Sequence, residues 1–294
     1  MRDSLLFSAA TSRGEALVRI AEIFRRSGID EADREALLTL GAACRVSRAT
    51  MITAPEAALA DAASRLANFA ARRAAGEPLS RIVGTREFWT LELTIAPQTL
   101  DPRPETEALV EAALARFHER RTDRLQILDL GVGSGALLCA LLTEFVNARG
   151  MGVDISAPAV EVARGNIEAC GLAPRAEVRV GNWTEGLKGL FDLVISNPPY
   201  VRSVDIARLP PEVRDFDPRI ALDGGPDGLD AYRAILPPSF HLLGTGGWLM
   251  VEVGASQAPA VLTIAADAGL ISCATAMDLA GVERVVAGRS PRLV

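Results

Sequence analysis

The chain has two histidines, four cysteines and a single lysine in 294 residues, and each scarcity removes a class of chemistry. His118 and His241 are far in sequence from Cys44, Cys139, Cys170 and Cys273, and no Cys-x-x-Cys pair occurs. Neither a structural zinc site nor a disulfide is expected, and the cysteines read as small buried hydrophobes. Metal chemistry is not expected either. Lys188 is the only lysine, so the cations are nearly all arginine, a usage that an Arg- and Ala-rich genome explains without phosphate binding. The formal net charge of −6 supplies no global field to attract nucleic acid. No apolar run is long enough to span a membrane. The opening "MRDSLLFSAATSRGEALVRI" has too little apolar sequence before Arg13 and Glu15 for a signal peptide, so a cytoplasmic location is expected. The sequon at Asn182 then carries no meaning.

What is present suffices for a large core, since 49% of residues are apolar. Residues 1–75 are close to neutral and the remainder is acidic. "GEALVRIAEIFRRSGI" spaces Leu17, Ile20, Ala21 and Phe24 helically and stops at Gly28. Asp30 is placed to cap a second helix running through Ala43. "PEAALADAASRLANFAARRAAG" predicts a third, from Pro55 in its first turn to near Gly76. Residues 1–76 thus form a helical bundle without catalytic-looking side chains. In residues 77–100, Ile82, Val83, Phe88, Trp89, Leu91, Leu93 and Ile95, broken at Gly84, predict a β-hairpin linker. Residues 101–294 alternate short apolar runs with helical stretches near 135–148, 156–170, 229–243 and 256–268. That alternation predicts a doubly wound α/β domain with a mostly parallel sheet. The terminal "LISCATAMDLAGVERVVAG" adds a hairpin turning at Ala280-Gly281, which puts one antiparallel strand into it.

Two constellations carry chemistry. In "ILDLGVGSGALL", Gly131-Val132-Gly133-Ser134-Gly135 follows a strand and opens a helix. Residues without side chains let the backbone turn tightly and approach a ligand. Asp154 ends the next strand, where a carboxylate can accept both hydroxyls of a ribose. The pattern points to a nucleoside-type cofactor, against a turn that serves only the fold. NAD is one candidate, but its spacing is G-x-G-x-x-G/A, with a pyrophosphate on the helix N-terminus. The spacing here is G-x-G-x-G, which resembles the Rossmann-like S-adenosylmethionine-dependent methyltransferases. That resemblance implies a cofactor with a sulfonium cation and no phosphate. It also implies that Asn182 pairs with the adenine edge while Trp183 covers its face; a Trp packed in the core under a loop is the alternative.

The second constellation is "FDLVISNPPYV", an apolar strand ending in Asn197-Pro198-Pro199-Tyr200. Asn197 precedes a proline and is pushed to extended geometry. Pro198 and Pro199 cannot donate to a ladder, so the strand stops at the carboxyl end of the sheet, where ligands sit. The Asn197 side-chain oxygen and the Pro198 carbonyl are two acceptors in a stiff frame, and Tyr200 adds a flat surface. Two such acceptors fit a planar –NH2 group. Holding both of its hydrogens turns the nitrogen lone pair toward a methyl donor, and the grip tightens as positive charge develops. The motif occurs in amino methyltransferases acting on adenine N6 and on glutamine amides.

"PRPETE" (Pro102–Glu107), "DLGVGSGALLCALL" (Asp129–Leu142), "GNW" (Gly181–Trp183), "SNPPYV" and "LDGGPDGLDAY" (Leu222–Tyr232) occur in that order. Together they resemble the peptide-chain release factor N5-glutamine methyltransferases, the PrmC/HemK family, across almost the whole chain. "GEPLSRIVGTREFW" resembles that family's linker. The resemblance implies S-adenosyl-L-methionine bound at Gly131–Gly135, Asp154 and Trp183, with Asn197 near both methyl donor and substrate. It implies methylation of the glutamine in the Gly-Gly-Gln loop of release factors, with the N-terminal bundle gripping that partner and modulation of translation termination as the outcome. No direct nucleic-acid contact is expected, and the chain reads as a self-sufficient monomer. There are departures: Asp101 stands where an aliphatic residue is common, Asn182 where Asp is usual, and Asp217 where Glu is usual. Arg103, Glu105 and Thr106 read either as helix capping with a surface pair or as part of the donor pocket. "LDGGPDGLD" reads either as a turn before a helix or as a substrate-side loop, and the histidines as ordinary helix residues. Two rivals remain: an adenine-N6 methyltransferase on nucleic acid, and a binding module without turnover.

Overall fold

The computed structural model describes residues 7–291, which separate into two compact units meeting in sequence at Gly84 and Thr85. The first unit is helical: α1 (Arg13–Arg26), α2 (Ala32–Cys44), α3 (Arg48–Thr53), α4 (Ala62–Ala74) and α5 (Leu79–Val83). Ser12 caps α1 by accepting the Glu15 N–H at 3.2 Å. The core closes Ile20 and Phe24 of α1 on Leu40 of α2 and Leu66 of α4. Arg73 of α4, almost wholly buried, donates to Glu35 of α2 at 2.8 Å, so its charge is paired.

Three local expectations are corrected here. Asp30 does not cap α2; the capping position is Glu31, in left-handed geometry without a side-chain bond. The third long helix does not begin at Pro55. The segment before it bonds back to the start of the chain: Gly14 N–H donates to the Pro55 carbonyl at 2.8 Å and Leu59 N–H to the Thr11 carbonyl at 2.9 Å. Those bonds replace a first helical turn, and α4 starts only at Ala62. Ile82 and Val83 belong to α5, ended by left-handed Gly84, rather than to the hairpin. Of the four cysteines only Cys139 is buried, and all are free.

The second unit opens with the hairpin of β1 (Thr85–Phe88) and β2 (Leu91–Thr94). After α6 (Glu107–Arg116) come β3 (Gln126–Leu130), α7 (Ala136–Glu144), β4 (Arg149–Asp154), α8 (Ala157–Ala169), β5 (Ala176–Val180) and β6 (Phe191–Ser196). Then follow α9 (Pro211–Arg214), α10 (Asp230–Phe240), β7 (Leu243–Glu252), α11 (Ala258–Asp267), β8 (Ile271–Met277) and β9 (Glu283–Arg289). The seven strands lie in the order β5-β4-β3-β6-β7-β9-β8, with β9 antiparallel to both its neighbours. Alternation along the strands divides the core. Ile127, Leu193 and Ile195 pack with α6, α7 and α8 on one face; Leu128, Val194 and Val251 pack with α10 and α11 on the other. A side chain at Gly152 of β4 would lie 2.7 Å from Val132 and 2.9 Å from Val178, so only glycine fits between those neighbours.

The winding places the site. From β3 the chain steps outward to β4 and β5, then returns to β6 on the other side of β3. The crevice at such a reversal is where open α/β sheets take ligands. Asp129 sits opposite Ile195 in the register, so the glycine turn after β3 and the Asn-Pro-Pro-Tyr segment after β6 emerge side by side.

Candidate active site

Gly131 and Val132 both donate to the Val153 carbonyl, at 2.8 and 3.0 Å, so the chain leaves β3 by curling against β4. Gly131 and Gly135 have φ of +76° and +83°, a region costly for other residues. A Cβ on Gly131 would touch the Trp183 ring at 3.4 Å, and one on Gly135 would meet Ala163 of α8 at 3.3 Å. One glycine therefore admits an aromatic wall and the other a helix. The two Asp154 oxygens accept the N–H groups of Gly133 and Ser156, each at 2.9 Å. This fixes the carboxylate and leaves each oxygen a second lone pair.

Asp129 went unremarked in the sequence, although a carboxylate in the strand "QILDL" was the signal. It is 1% exposed and neither of its oxygens has a hydrogen-bond partner of good geometry. Burial first, and the charge of Asp154 second, push its pKa up to about 7, against the Leu138 backbone. An unsatisfied carboxylate is costly to bury, and this one borders a cavity of about 410 Å³. Gly131, Gly133, Ser134, Asp154 and Trp183 line the same cavity. Asn182 reaches it from an exposed position, its –NH2 donating to Glu185 at 2.9 Å, which turns that group away from any ligand. Trp183 is at once a wall of the cavity and a packing neighbour of the core, so the two readings of it are compatible.

The Asn-Pro-Pro-Tyr segment is held from sequence-distant places. The Ser196 hydroxyl donates to the Leu130 carbonyl at 2.6 Å, which ties the end of β6 to that of β3. The Asn197 –NH2 donates to the Thr106 hydroxyl at 3.0 Å, which leaves its carbonyl oxygen as the free end. Pro198 is buried and lines neither cavity described here, whereas Pro199 borders the large one. The Tyr200 hydroxyl donates to Glu252 at 3.2 Å, and burial raises its pKa, so it stays a donor. Gln257 donates to the Tyr200 carbonyl at 3.0 Å. Gly224 presses so close that a Cβ there would lie 2.8 Å from the Pro199 carbonyl oxygen. The "LDGGPDGLD" loop is thus a brace against the motif.

A second cavity of about 210 Å³ lies next to the first, and Leu100, Asn197 and Ala221 border both. Its other walls are Arg103, Tyr200, Val201, Leu209, Val213 and Leu222. Arg103 pairs with buried Asp217, whose other oxygen accepts the Asp101 N–H at 3.3 Å. Asp101 in turn lies 3.6 Å from Arg86. The departures at 101 and 217 therefore belong to one charge-paired network behind the cavity wall. Thr106 lines the large cavity, while Glu105 is exposed. Both histidines are exposed and line neither cavity.

The chain is similar to known methyltransferases over most of its length. A family model for the methyltransferase small domain matches residues 105–208, and one for the PrmC N-terminal domain matches residues 15–84. A release factor glutamine methyltransferase of Bradyrhizobium diazoefficiens is 45% identical over 92% of this chain and 92% of its own. One of Caulobacter vibrioides is 43% identical over 89% of this chain and 91% of its own. Among solved structures, the hMettl16 catalytic domain in complex with MAT2A 3'UTR hairpin 6 superposes with a TM-score of 0.57, covering 75% of this chain and 81% of that one. At 16% identity this likeness shows the fold alone. The residues present fit S-adenosylmethionine: a buried carboxylate lacking a cation, a second with lone pairs for two hydroxyls, and an aromatic wall over the glycine turn.

Proposed function

The chain belongs to the family of release factor glutamine methyltransferases, and from that premise we propose how its two cavities divide the work. It is an enzyme that moves a methyl group from S-adenosylmethionine to the side-chain amide nitrogen, N5, of a release-factor glutamine. The target is the glutamine of the Gly-Gly-Gln loop. Asp154 holds the ribose, Asp129 the amino group of the methionine part, Asn182 and Trp183 the adenine, and Gly131–Gly135 supply the close backbone. When bound, the cofactor supplies a methyl group on a positively charged sulfur.

The smaller cavity takes the glutamine. Leu209, Val213 and Leu222 are walls for its aliphatic part, and the Tyr200 ring and Arg103 flank its polar end. An amide nitrogen is a weak nucleophile because its lone pair is delocalised. The Asn197 oxygen accepts one of its hydrogens; the Pro198 carbonyl, which borders neither cavity here but receives no hydrogen bond from the described residues, becomes the acceptor for the other once the glutamine is seated. Gripped this way the nitrogen is driven toward pyramidal geometry with its lone pair toward the larger cavity. In the transfer the S–C bond breaks and a C–N bond forms. The nitrogen then carries positive charge, which both acceptors bind more strongly than the neutral amide. Its proton is strongly acidic and passes to water, so no tuned histidine is needed.

The observation that carries this reading is that Asn197 borders both cavities with its –NH2 turned to Thr106, so that its oxygen is the end presented to the substrate. The N-terminal unit serves to dock the release factor, and the enzyme acts as a cytoplasmic monomer without direct contact to nucleic acid. Among the described residues no helix is long and apolar enough to cross a membrane. The test is incubation with labelled methyl donor and a recombinant release factor, followed by peptide mapping. One methyl on the loop glutamine is expected; label in DNA and none in protein would reverse the choice of substrate.

A further inference from the structure

Glu252 is the buried carboxylate that the mechanism above leaves unused. It ends β7, one residue beyond Val251, which pairs with Ser196, so it stands beside Asn197 at the carboxyl end of the sheet. Its side chain is 1% exposed and borders neither cavity, so it touches neither substrate nor cofactor. Oε1 accepts from Tyr200, while Oε2 has no partner of good geometry. Such a group weakens a fold unless something else requires it.

The geometry points to Glu252 as a positioning residue for methyl transfer: as a carboxylate it draws the Thr106 hydroxyl proton and the Tyr200 hydroxyl to itself, and so orients the Asn197 amide with its oxygen toward the substrate. The steps follow from donor counting. The Thr106 hydroxyl has one proton and already accepts from Asn197 Nδ2 at 3.0 Å. Its proton must go elsewhere; the acceptor proposed for it is the buried Glu252 Oε2, which no other group of good geometry reaches, and Thr106 is among the groups that favour the charged form of Glu252. An ionised carboxylate can only accept, so the sequence Asn197 to Thr106 to Glu252 runs in one direction. A protonated Glu252 can donate to Thr106 instead. The Thr106 proton would then face Asn197, whose amide would turn over to bond it. An –NH2 would meet the incoming amide hydrogens, and the acceptor would be lost.

Tyr200 gives Glu252 a hold on the other end of the same motif, so one carboxylate spans both ends of Asn-Pro-Pro-Tyr. The groups facing it are Thr106 and Glu105 before α6, Tyr200 after β6, Arg284 on β9 and the Tyr232 hydroxyl of α10, which donates to its backbone carbonyl at 2.9 Å. Burial pushes its pKa up to about 7; Thr106, Tyr200 and Arg284 pull it down, and Glu105 opposes them. The direction of the relay is therefore set within the working pH range.

This inference rests on the glutamine reading for its kinetic test but not for its second readout. In Glu252→Gln, kcat on a release factor is expected to fall roughly 10- to 100-fold while cofactor affinity stays within about threefold. Wild-type kcat should rise with pH through an apparent pKa of about 7, and that limb should vanish in Glu252→Gln. Thr106→Val should reproduce the loss, and Thr106→Ser, which keeps the hydroxyl, should recover most of it. In cofactor-loaded protein, the Asn197 side-chain amide signals in nitrogen NMR should shift as pH crosses 7 in wild type and stand still in Thr106→Val. Wild-type kcat with an unchanged pH profile in Glu252→Gln would overturn the assignment. So would an equal loss of cofactor affinity, or Asn197 signals indifferent to pH. If wild-type enzyme fails to methylate a release factor, the substrate reading falls and the amide titration still decides the role of Glu252.

Discussion

The glycine turn after β3 and the Asn-Pro-Pro-Tyr segment after β6 leave adjacent strands at the same end of the sheet, yet they are built by opposite means. The first omits side chains and is held by one element alone, the next strand in the chain, through Val153 and Asp154. The second omits backbone donors and is held by Thr106, Gly224, Glu252 and Gln257, from all over the unit. The difference separates two jobs. A turn that closes on a ligand through its backbone needs only local support. A side-chain acceptor that must present one particular atom needs its orientation fixed by partners that converge from several elements.

That separation can be broken or sharpened by experiment. Asn197→Ala should give the largest effect, a fall in transfer of about 10²- to 10³-fold with cofactor affinity within about threefold by calorimetry. A parallel loss of affinity would show that the two loops are not separate. Asp129→Asn and Asp154→Asn should do the reverse: affinity weakens about tenfold or more each, while transfer at saturating cofactor largely survives. Affinity in wild type should also rise with pH through about 7, as Asp129 becomes charged and able to hold an ammonium group.

Gly152→Ala, forced against Val132 behind the glycine turn, should cost about 1–3 kcal/mol of stability in denaturant melts. The pH dependence of stability has a definite sign. Burial pushes the pKa of Asp129 and of Glu252 up to about 7 in the folded protein, above the ordinary carboxylate range of about 4. Between those limits the folded state binds more protons than the unfolded one. Each group therefore destabilises progressively as pH rises from about 4 to 7, by up to about 1.4 kcal/mol per pH unit, and no further above it. Asp129→Asn and Glu252→Gln should each flatten that part of the profile in cofactor-free protein. His118→Ala and His241→Ala should give the smallest effects, within about 0.5 kcal/mol, and leave transfer unchanged.

Most of the strands were legible because a buried parallel strand is a continuous apolar run, and most helices between them because of their period. The failures came where contacts distant in sequence outbid local preference. Pro55 is a good helix start by itself, but bonds to the segment around Thr11 and Gly14 withdraw it. Within the site, the glycine turn, Asp154, Trp183 and Asn197 stood out by type and spacing. Asp129 and Glu252 gave a weaker sign, a lone carboxylate inside "QILDL" and inside "WLMVE", which could have been read as a site facing the end of the sheet.

The amino-acid order alone determined which atoms are on offer: a turn without side chains, a strand end without donors, an amide between them. These follow from covalent facts about glycine, proline and asparagine and need no neighbours. Only the tertiary structure decided which end of the Asn197 amide faces the substrate, because that depends on Thr106, 91 residues earlier in the chain, lying 3.0 Å from the Asn197 –NH2. A hydrogen bond has a direction that residue type does not carry, and only the partners brought together by folding assign it.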